Sequence, residues 1–281
     1  MLNINTNYAS AFASNAAKTA SKGLESAMEK LSSGSRINYA KDDAAGQAIS
    51  TRLSAEIQGL EMASRNAADA QSLLDTAEGA LQETSSVLLR MRELAVQSAN
   101  GTLTDTDRGH IDAEFQQLMG EIDRIAGNTT FAGQELLDGT YASVDFQVGA
   151  GAGEVINVSI AGASSTDIGT TTSPAVANLA ATDVTTAAKA DDAIASVDKA
   201  LEEISTARGS LGAVSNRLGS TMSNLDQIAV NLTSSQGRIA DADFAQETGN
   251  LAKNQILQQA ATAMIAQANA SKSTILTLVR G

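Results

Sequence analysis

From Ala44 to about Asn100, apolar side chains return every seven residues. Leu53, Leu60, Ala67, Leu74, Leu81, Leu88 and Ala95 form one row, and Ala63, Ala70, Ala77, Thr84 and Met91 form a second, three residues further on. Two such rows make the seam of a helix paired in coiled-coil fashion, because a seven-residue period keeps both on the face that meets the partner. No proline interrupts the run. At 1.5 Å per residue the helix would be about 85 Å long, which no compact globule of this size contains.

The second half of the chain supplies a partner. Val197, Ile204, Leu211, Leu218, Leu225, Leu232 and Ile239 are also seven apart, with Ala200, Ala207, Val214, Thr221 and Ile228 alongside. Two long segments of one chain can return and pair antiparallel, and small residues in the companion rows let their axes come close. A shorter amphipathic helix is expected from about Asp105 to Ala126, with Ile111, Phe115, Leu118, Ile122 and Ile125 at helical spacing. Thr104 or Asp105 can cap its start, and Asn100-Gly101 can end the helix before it.

Between Asn128 and Asp183 the period changes. VDFQV (Val144–Val148) and INVSI (Ile156–Ile160) alternate, and the glycine-rich linker GAGAGE joins them, so the pair reads as a β-hairpin. The following ASSTDIGTTTSPAVANLAATD (Ala163–Asp183) is small and hydroxylated and holds the single proline, Pro174. That composition suits an exposed loop better than a core. The hydroxyls of Ser164–Ser173 and Ser143 are candidate O-glycosylation positions there.

The two ends resemble each other. Residues 7–31 are alanine-rich with apolar points at Phe12, Leu24, Met28 and Leu31; residues 247–279 are similar, with Ile256, Leu257, Met264, Ile265, Ile275 and Leu278. Both read as helices with weak seams and no internal partner but each other. Each alone is marginal in water, so both are expected to be disordered in the free subunit and helical on assembly. Ser32–Asp43 interrupts the helical pattern near the start. Its Arg36-Ile37-Asn38-Tyr39-Ala40 is echoed by Arg238-Ile239-Ala240-Asp241-Ala242 at a similar distance from the other end. Both match R-I-x-x-A and separate a weak terminal helix from a long heptad helix, so each reads as a spacer between tiers. Ser32, Ser33 and Gly34 can release the first helix, and Asp42 and Asp43 suit the start of the second.

The 281 residues include 43% apolar but only 3% aromatic, with no tryptophan. Such material fits thin layers of helix on helix rather than a core anchored by rings. A formal charge of −13 leaves no basic face for phosphate, which argues against nucleic acid. The lack of cysteine excludes disulfides and thiolate chemistry. No window approaches the roughly 18 apolar residues of a membrane span. MLNINTNYASAFASNAA has no basic flank or signal-length apolar run, so the chain is expected in the cytoplasm or exported by a route that cleaves no signal.

Candidate chemistry fails on inspection. GAGAGE lacks the glycine-lysine-serine/threonine ending of a phosphate loop and opens a strand, so it reads as a turn. His110, the one histidine, has Asp107, Asp112 and Glu114 nearby, but its polar helical first turn suits a solvated side chain. One histidine also excludes a HExxH zinc site or a serine–histidine triad. Asp241 and Asp243 begin like a calcium loop, yet Gln246 and Ala252 stand where glycine and glutamate are required; helix capping is the simpler role. Asn128-Thr129-Thr130 and Asn157-Val158-Ser159 are triplets that arise by chance in so threonine-rich a chain. The reading is no enzyme, no metal and no cofactor.

Several blocks together resemble the terminal regions of bacterial flagellin: INTN (Ile4–Asn7), SSGSRINYAKDDAAGQAIS (Ser32–Ser50), LLRMRELAVQSANGT (Leu88–Thr102), EIDRIAGNTTFAG (Glu121–Gly133), LGAVSNRL (Leu211–Leu218) and NLAKNQILQQAATAMIAQANASKSTIL (Asn250–Leu276). The similarity covers roughly residues 1–140 and 185–281, in order. It implies a minimal flagellin without inserted outer domains: a mainly α fold of long antiparallel heptad helices forming a coiled-coil-like rod, with a small β-hairpin region in the middle of the chain. The expected organisation pairs residues 1–33 with 247–281 as an inner terminal coiled coil and uses 34–43 and 237–246 as spacers. Residues 44–130 with 184–236 form the rod helices, and 131–183 the hairpin and exposed loop.

The resemblance further implies a subunit of the extracellular flagellar filament, exported unfolded by a type III pathway and used for motility. Its partners would be copies of itself in an open helical homopolymer, an export chaperone, and hook-associated and cap proteins, without membrane insertion. Chaperone and polymer-core candidates are Ile256, Leu257, Met264, Ile265, Ile275 and Leu278; spacer candidates are Arg36, Asp42, Asp43, Arg238, Asp241 and Asp243. A vertebrate Toll-like receptor that senses monomeric flagellin would contact Arg90, Leu94 and Glu114, although the same surface can meet the next subunit. Leu89 stands where receptor-recognised members usually carry glutamine. Physics independently favours an open polymer, since a rod with unpaired apolar ends can bury them against copies of itself in a contact that does not close. A hook–filament junction protein and a cytosolic coiled-coil adaptor are the alternative readings.

Overall fold

The computed structural model describes residues 6–170 and 178–280, with side chains of the last helix described as far as Ser273. Among the described residues there are five α-helices, α1 (Tyr8–Ser33), α2 (Ala44–Ala99), α3 (Asp105–Asn128), α4 (Ala187–Ala240) and α5 (Phe244–Arg280), with four short strands between α3 and α4 in chain order. The strands are β1 (Thr130–Phe131), β2 (Gln134–Glu135), β3 (Val144–Gln147) and β4 (Val155–Val158). The chain divides into two compact units, residues 58–229 and residues 1–57 with 230–281.

In the unit of residues 58–229, α2 and α4 run antiparallel. Ser64 bonds Asp226, Gln71 bonds Ser215, Glu78 pairs with Arg208 and Arg92 with Asp198, so each step forward on α2 meets a step back on α4. Both heptad rows of α2 in this unit are buried as their spacing predicts, from Leu60 through Ala95 and from Ala63 through Met91. Thr84 fits this apolar seam because its hydroxyl donates to the Ala80 carbonyl at 3.0 Å, leaving no unpaired polar group. On α4 the row from Val197 to Leu225 is buried, but its companion row withdraws gradually. Ala200 is buried, Ala207, Val214 and Thr221 are half-buried, and Ile228 is exposed. That row emerges past the hairpin, whose Val148 and Ile156 line a groove with Asn216, Arg217, Ser220 and Thr221.

α3 starts at a capping box: Thr104 Oγ accepts from the Asp107 N–H, and the Asp107 carboxylate accepts from the Thr104 N–H. Phe115, Met119, Ile122 and Ala126 then bury its inner face in the same core as α2 and α4. β1 and β2 pair through a tight turn at Ala132 and Gly133, both at positive φ. β3 and β4 pair antiparallel with Val144 opposite Val158, joined by the glycine-rich linker. Alternation turns Ile156 and Val158 into the core.

The segment after the hairpin is not the exposed loop that its composition suggests. Ile160, Ala163, Ser165, Ile168, Leu179, Thr182 and Val184 are buried. Helix carboxylates take up its backbone donors: Asp123 accepts from Ser165 N–H at 2.8 Å, Glu203 from Gly169 at 2.9 Å, and Asp112 from Val184 at 2.9 Å. Those bonds satisfy the N–H groups that burial would otherwise leave unpaired. Gly169, at φ +74°, lies where a Cβ would come within 2.9 Å of the Ser196 carbonyl, so the backbone packs directly on α4. Thus Ser165 is buried and bonded to Asp123, which removes it as a glycosylation candidate, whereas Thr166 and Ser143 are exposed. Thr171–Ser173 and Pro174 lie outside the described residues.

In the other unit, α1 and α5 pair antiparallel. Asn7 bonds the Ala268 carbonyl, Ser21 bonds Gln258, and Lys30 pairs with Glu247. The seam is not the row of large residues that stands out in the sequence. It is Ala13, Ala20 and Ala27, seven apart, with Ala261 on the opposite helix. A Cβ added at Gly23 would stand 2.7 Å from Asn254 Nδ2, so the helices touch nearly backbone to side chain. Small residues allow that approach and leave some large ones facing out: Phe12 is 74% exposed and Met28 48%, while Leu24 and Leu31 are half-buried.

Candidate assembly surface

The two R-I-x-x-A segments lie side by side. α1 ends at Gly34, whose φ of 69° provides the left-handed turn that terminates a helix. The next residues then bond to the end of α4: Ser35 pairs with Asp241 in an antiparallel bridge, Arg36 N–H donates to Ala240 at 2.6 Å, and Ala242 N–H donates to Gly34 at 3.0 Å. Ser35 Oγ also donates to the Ala240 carbonyl, and Arg36 Nη2 to that of Ile239 at 2.6 Å. Arg238 sits in the last turn of α4, where a cation complements the negative end of the helix dipole.

Each spacer aspartate has its own bonds. Asp42 accepts from the backbone of Asn38 and Tyr39 and folds the segment into a turn. Asp43 accepts from Gly46 N–H at 2.8 Å, and Asp243 from Ala245 and Gln246, so these two cap the starts of α2 and α5. Asp241 serves through its backbone, in the bridge to Ser35. Ile37 is buried against the first turn of α2, where a Cβ at Gly46 would come within 2.7 Å of its Cδ1. A hydrogen bond to Glu29 raises the Tyr39 phenol pKa above its usual value, and Lys41 lies over the ring at 4.6 Å.

Beyond the spacer, the helix pair presents large apolar side chains to solvent: Tyr8, Phe12 and Met28 on α1, and Phe244, Ile256, Leu257 and Met264 on α5. Ile256 is 66% exposed and Met264 59%, whereas Ile265 is half-buried. The side chains of Ile275 and Leu278 lie outside the described residues. An exposed apolar surface of this kind marks a contact to be made with another molecule.

The trio Arg90, Leu94 and Glu114 is divided. Arg90 Nη2 meets the Glu114 carboxylate at 2.8 Å and its Nη1 meets Glu93, all at the surface; these bonds raise the Arg90 pKa, Glu114 contributing most. Leu94, by contrast, is 2% exposed and belongs to the core, because it falls on the face of α2 turned inward. In the free subunit Leu94 therefore lies beneath the surface that carries Arg90 and Glu114. Leu89, one position before Arg90, is exposed. Among the described residues no three His, Cys, Asp or Glu side chains are grouped to hold a metal ion, and no helix is long and apolar enough to cross a membrane.

Comparison with known proteins agrees with this architecture. Residues 4–142 match the bacterial flagellin N-terminal helical region and residues 194–279 the C-terminal helical region. A flagellin of Halalkalibacterium halodurans is 47% identical over 256 residues, covering 91% of this chain and 92% of that one. A flagellin of Bacillus subtilis is 41% identical over 304 residues, covering 99% and 100%. Flagellin B of Vibrio anguillarum, 33% identical over 374 residues at 99% coverage of both chains, carries segments that this shorter chain lacks. The crystal structure of Bacillus cereus flagellin has 36% identity and a TM-score of 0.49, over 57% of this chain and 88% of that one. The chain belongs to the flagellin family, and it is a structural subunit that polymerises with its own copies into the extracellular flagellar filament.

Proposed function

We propose that the subunit polymerises through the terminal helix pair, whose large apolar side chains become the filament's inner layer. In this reading residues 1–33 with 247–281 form the inner tier, 34–43 and 237–246 the spacer, and 44–130 with 184–236 the rod helices. The carrying observation is the inversion of α1 and α5: alanine faces inward, while Phe12, Ile256, Leu257 and Met264 face solvent. A pair held by an alanine seam gains little from burial by itself, so both ends are disordered in the free subunit and order on assembly. Such an open contact repeats without closing, which builds a helical polymer. The protein takes no part in catalysis.

The same side chains make α5 the segment that an export chaperone covers before the chain leaves unfolded through the growing tube. Hook-associated and cap proteins would meet it at the two filament ends. Removing residues 247–281 is expected to abolish both polymerisation and chaperone binding; a truncated subunit that still builds filaments contradicts the reading. A second surface, the exposed Arg90–Glu114 pair, supports recognition of the monomer by a Toll-like receptor, with Leu94 holding α2 in place beneath it.

A further inference from the structure

The sequence holds a single Asn-Gly pair, Asn100-Gly101, immediately after the last residue of α2. Asn100 is exposed, and its Oδ1 accepts from the Thr102 N–H at 3.2 Å. That bond folds the side-chain amide over the peptide linking Asn100 to Gly101 and withdraws electron density from its carbonyl carbon. The Gly101 N–H lies beyond the helix and has no hydrogen-bond partner among the described residues. Nothing lies within 4 Å of where a Gly101 Cβ would be, so that side of the peptide is open. Arg108, only 5% exposed, donates through Nη2 to the Asn100 carbonyl at 2.9 Å, while its Nη1 has no partner. This guanidinium forms no ion pair among the described residues and sits against the Asn100 main-chain carbonyl.

We propose that Asn100 is a self-modification site, converted by its own backbone to aspartate and isoaspartate. The Gly101 nitrogen gives its proton to water or hydroxide and attacks Asn100 Cγ. A nitrogen–carbon bond forms, the side-chain carbon–nitrogen bond breaks, and the amide nitrogen takes up a proton and leaves as ammonia. Water then opens the resulting five-membered imide at either carbonyl. One water is consumed for each ammonia released, and no oxidant or cofactor takes part. Arg108 places a positive charge at the Asn100 main-chain carbonyl, the oxygen that turns negative when water opens the imide on that side and leaves the isoaspartate carboxylate there. It also offsets the cost of a carboxylate at the negative end of the α2 dipole. The reaction makes each subunit carry a chemical mark of its age.

The test is peptide mapping of the purified full-length chain, incubated at neutral pH and in alkaline buffer. Trypsin releases Glu93–Arg108 as one fragment with Asn100 inside it. Aspartate and isoaspartate forms should accumulate at Asn100, faster in alkali, while the other asparagines stay amides. Gly101→Val, which has room for its side chain, should lose the conversion and keep the wild-type melting temperature and helix signal. Two results overturn the proposal: Asn100 stays an amide in the folded chain while the denatured chain converts alongside it, or Gly101→Val converts at the wild-type rate.

Discussion

The guanidinium of Arg36 donates to the main-chain carbonyl of Ile239 at 2.6 Å. Each residue belongs to one copy of the R-I-x-x-A pattern, so a mirrored feature of the sequence is a physical contact. Arg36→Ala should cost about 0.5–1.5 kcal/mol locally, toward the lower end because the bond is exposed. Amide exchange should quicken at residues 34–36 and 240–242, with no change in the protection of α3.

The alanine seam makes an unusual demand on α1. Ala20 is 3% exposed, so a larger side chain must push the helices apart. Ala20→Leu raises apolar content yet should destabilise the terminal pair by about 1–3 kcal/mol through overpacking. Filament assembly, followed by light scattering, should need a higher subunit concentration than wild type.

Sequence periodicity revealed the heptad helices because Leu and Ile at seven-residue spacing bury wherever a partner exists. It underread α1 because Ala13, Ala20 and Ala27 also recur every seven residues but are too small to stand out against Phe12 and Met28. The segment after the hairpin misled for a different reason. Its burial depends on Asp112, Asp123 and Glu203 from distant helices, which neutralise its backbone donors; no local composition records that. Position in a motif likewise does not say which face of a helix turns inward, so the burial of Leu94 beneath Arg90 is not legible from the block it belongs to.

Leu81 and Leu89 make a matched pair on α2, one buried and one exposed. Leu81→Ala should lower the stability of the unit of residues 58–229 by about 2–5 kcal/mol, since it leaves a cavity in a packed seam. Leu89→Ala should stay within about 0.5 kcal/mol of wild type. Denaturant titration of both variants checks the contrast.

Acid should loosen the start of α3. The bonds from the Thr104 side chain and backbone lower the Asp107 carboxyl pKa from its ordinary value. A depressed folded-state pKa adds stability above the ordinary carboxylate value, and that stability is lost as pH falls through the folded value. Asp183 behaves alike: burial alone would raise its pKa, but bonds from Lys189 and Thr185 outweigh it and hold it low. Thr104→Ala should return the Asp107 pKa toward normal and reduce the acid sensitivity of exchange in the first turn of α3, as NMR titration would report.

In the proposed assembly, exposed apolar side chains on the terminal helices, not the heptad unit, drive polymerisation. The most direct test replaces Ile256 and Met264 together with glutamine, two positions outside the alanine seam. Electron microscopy and sedimentation of the purified variant should show subunits that stay monomeric where wild type forms filaments, with the melting transition of the heptad unit unchanged. Filaments growing at the wild-type critical concentration would show that these side chains do not drive assembly.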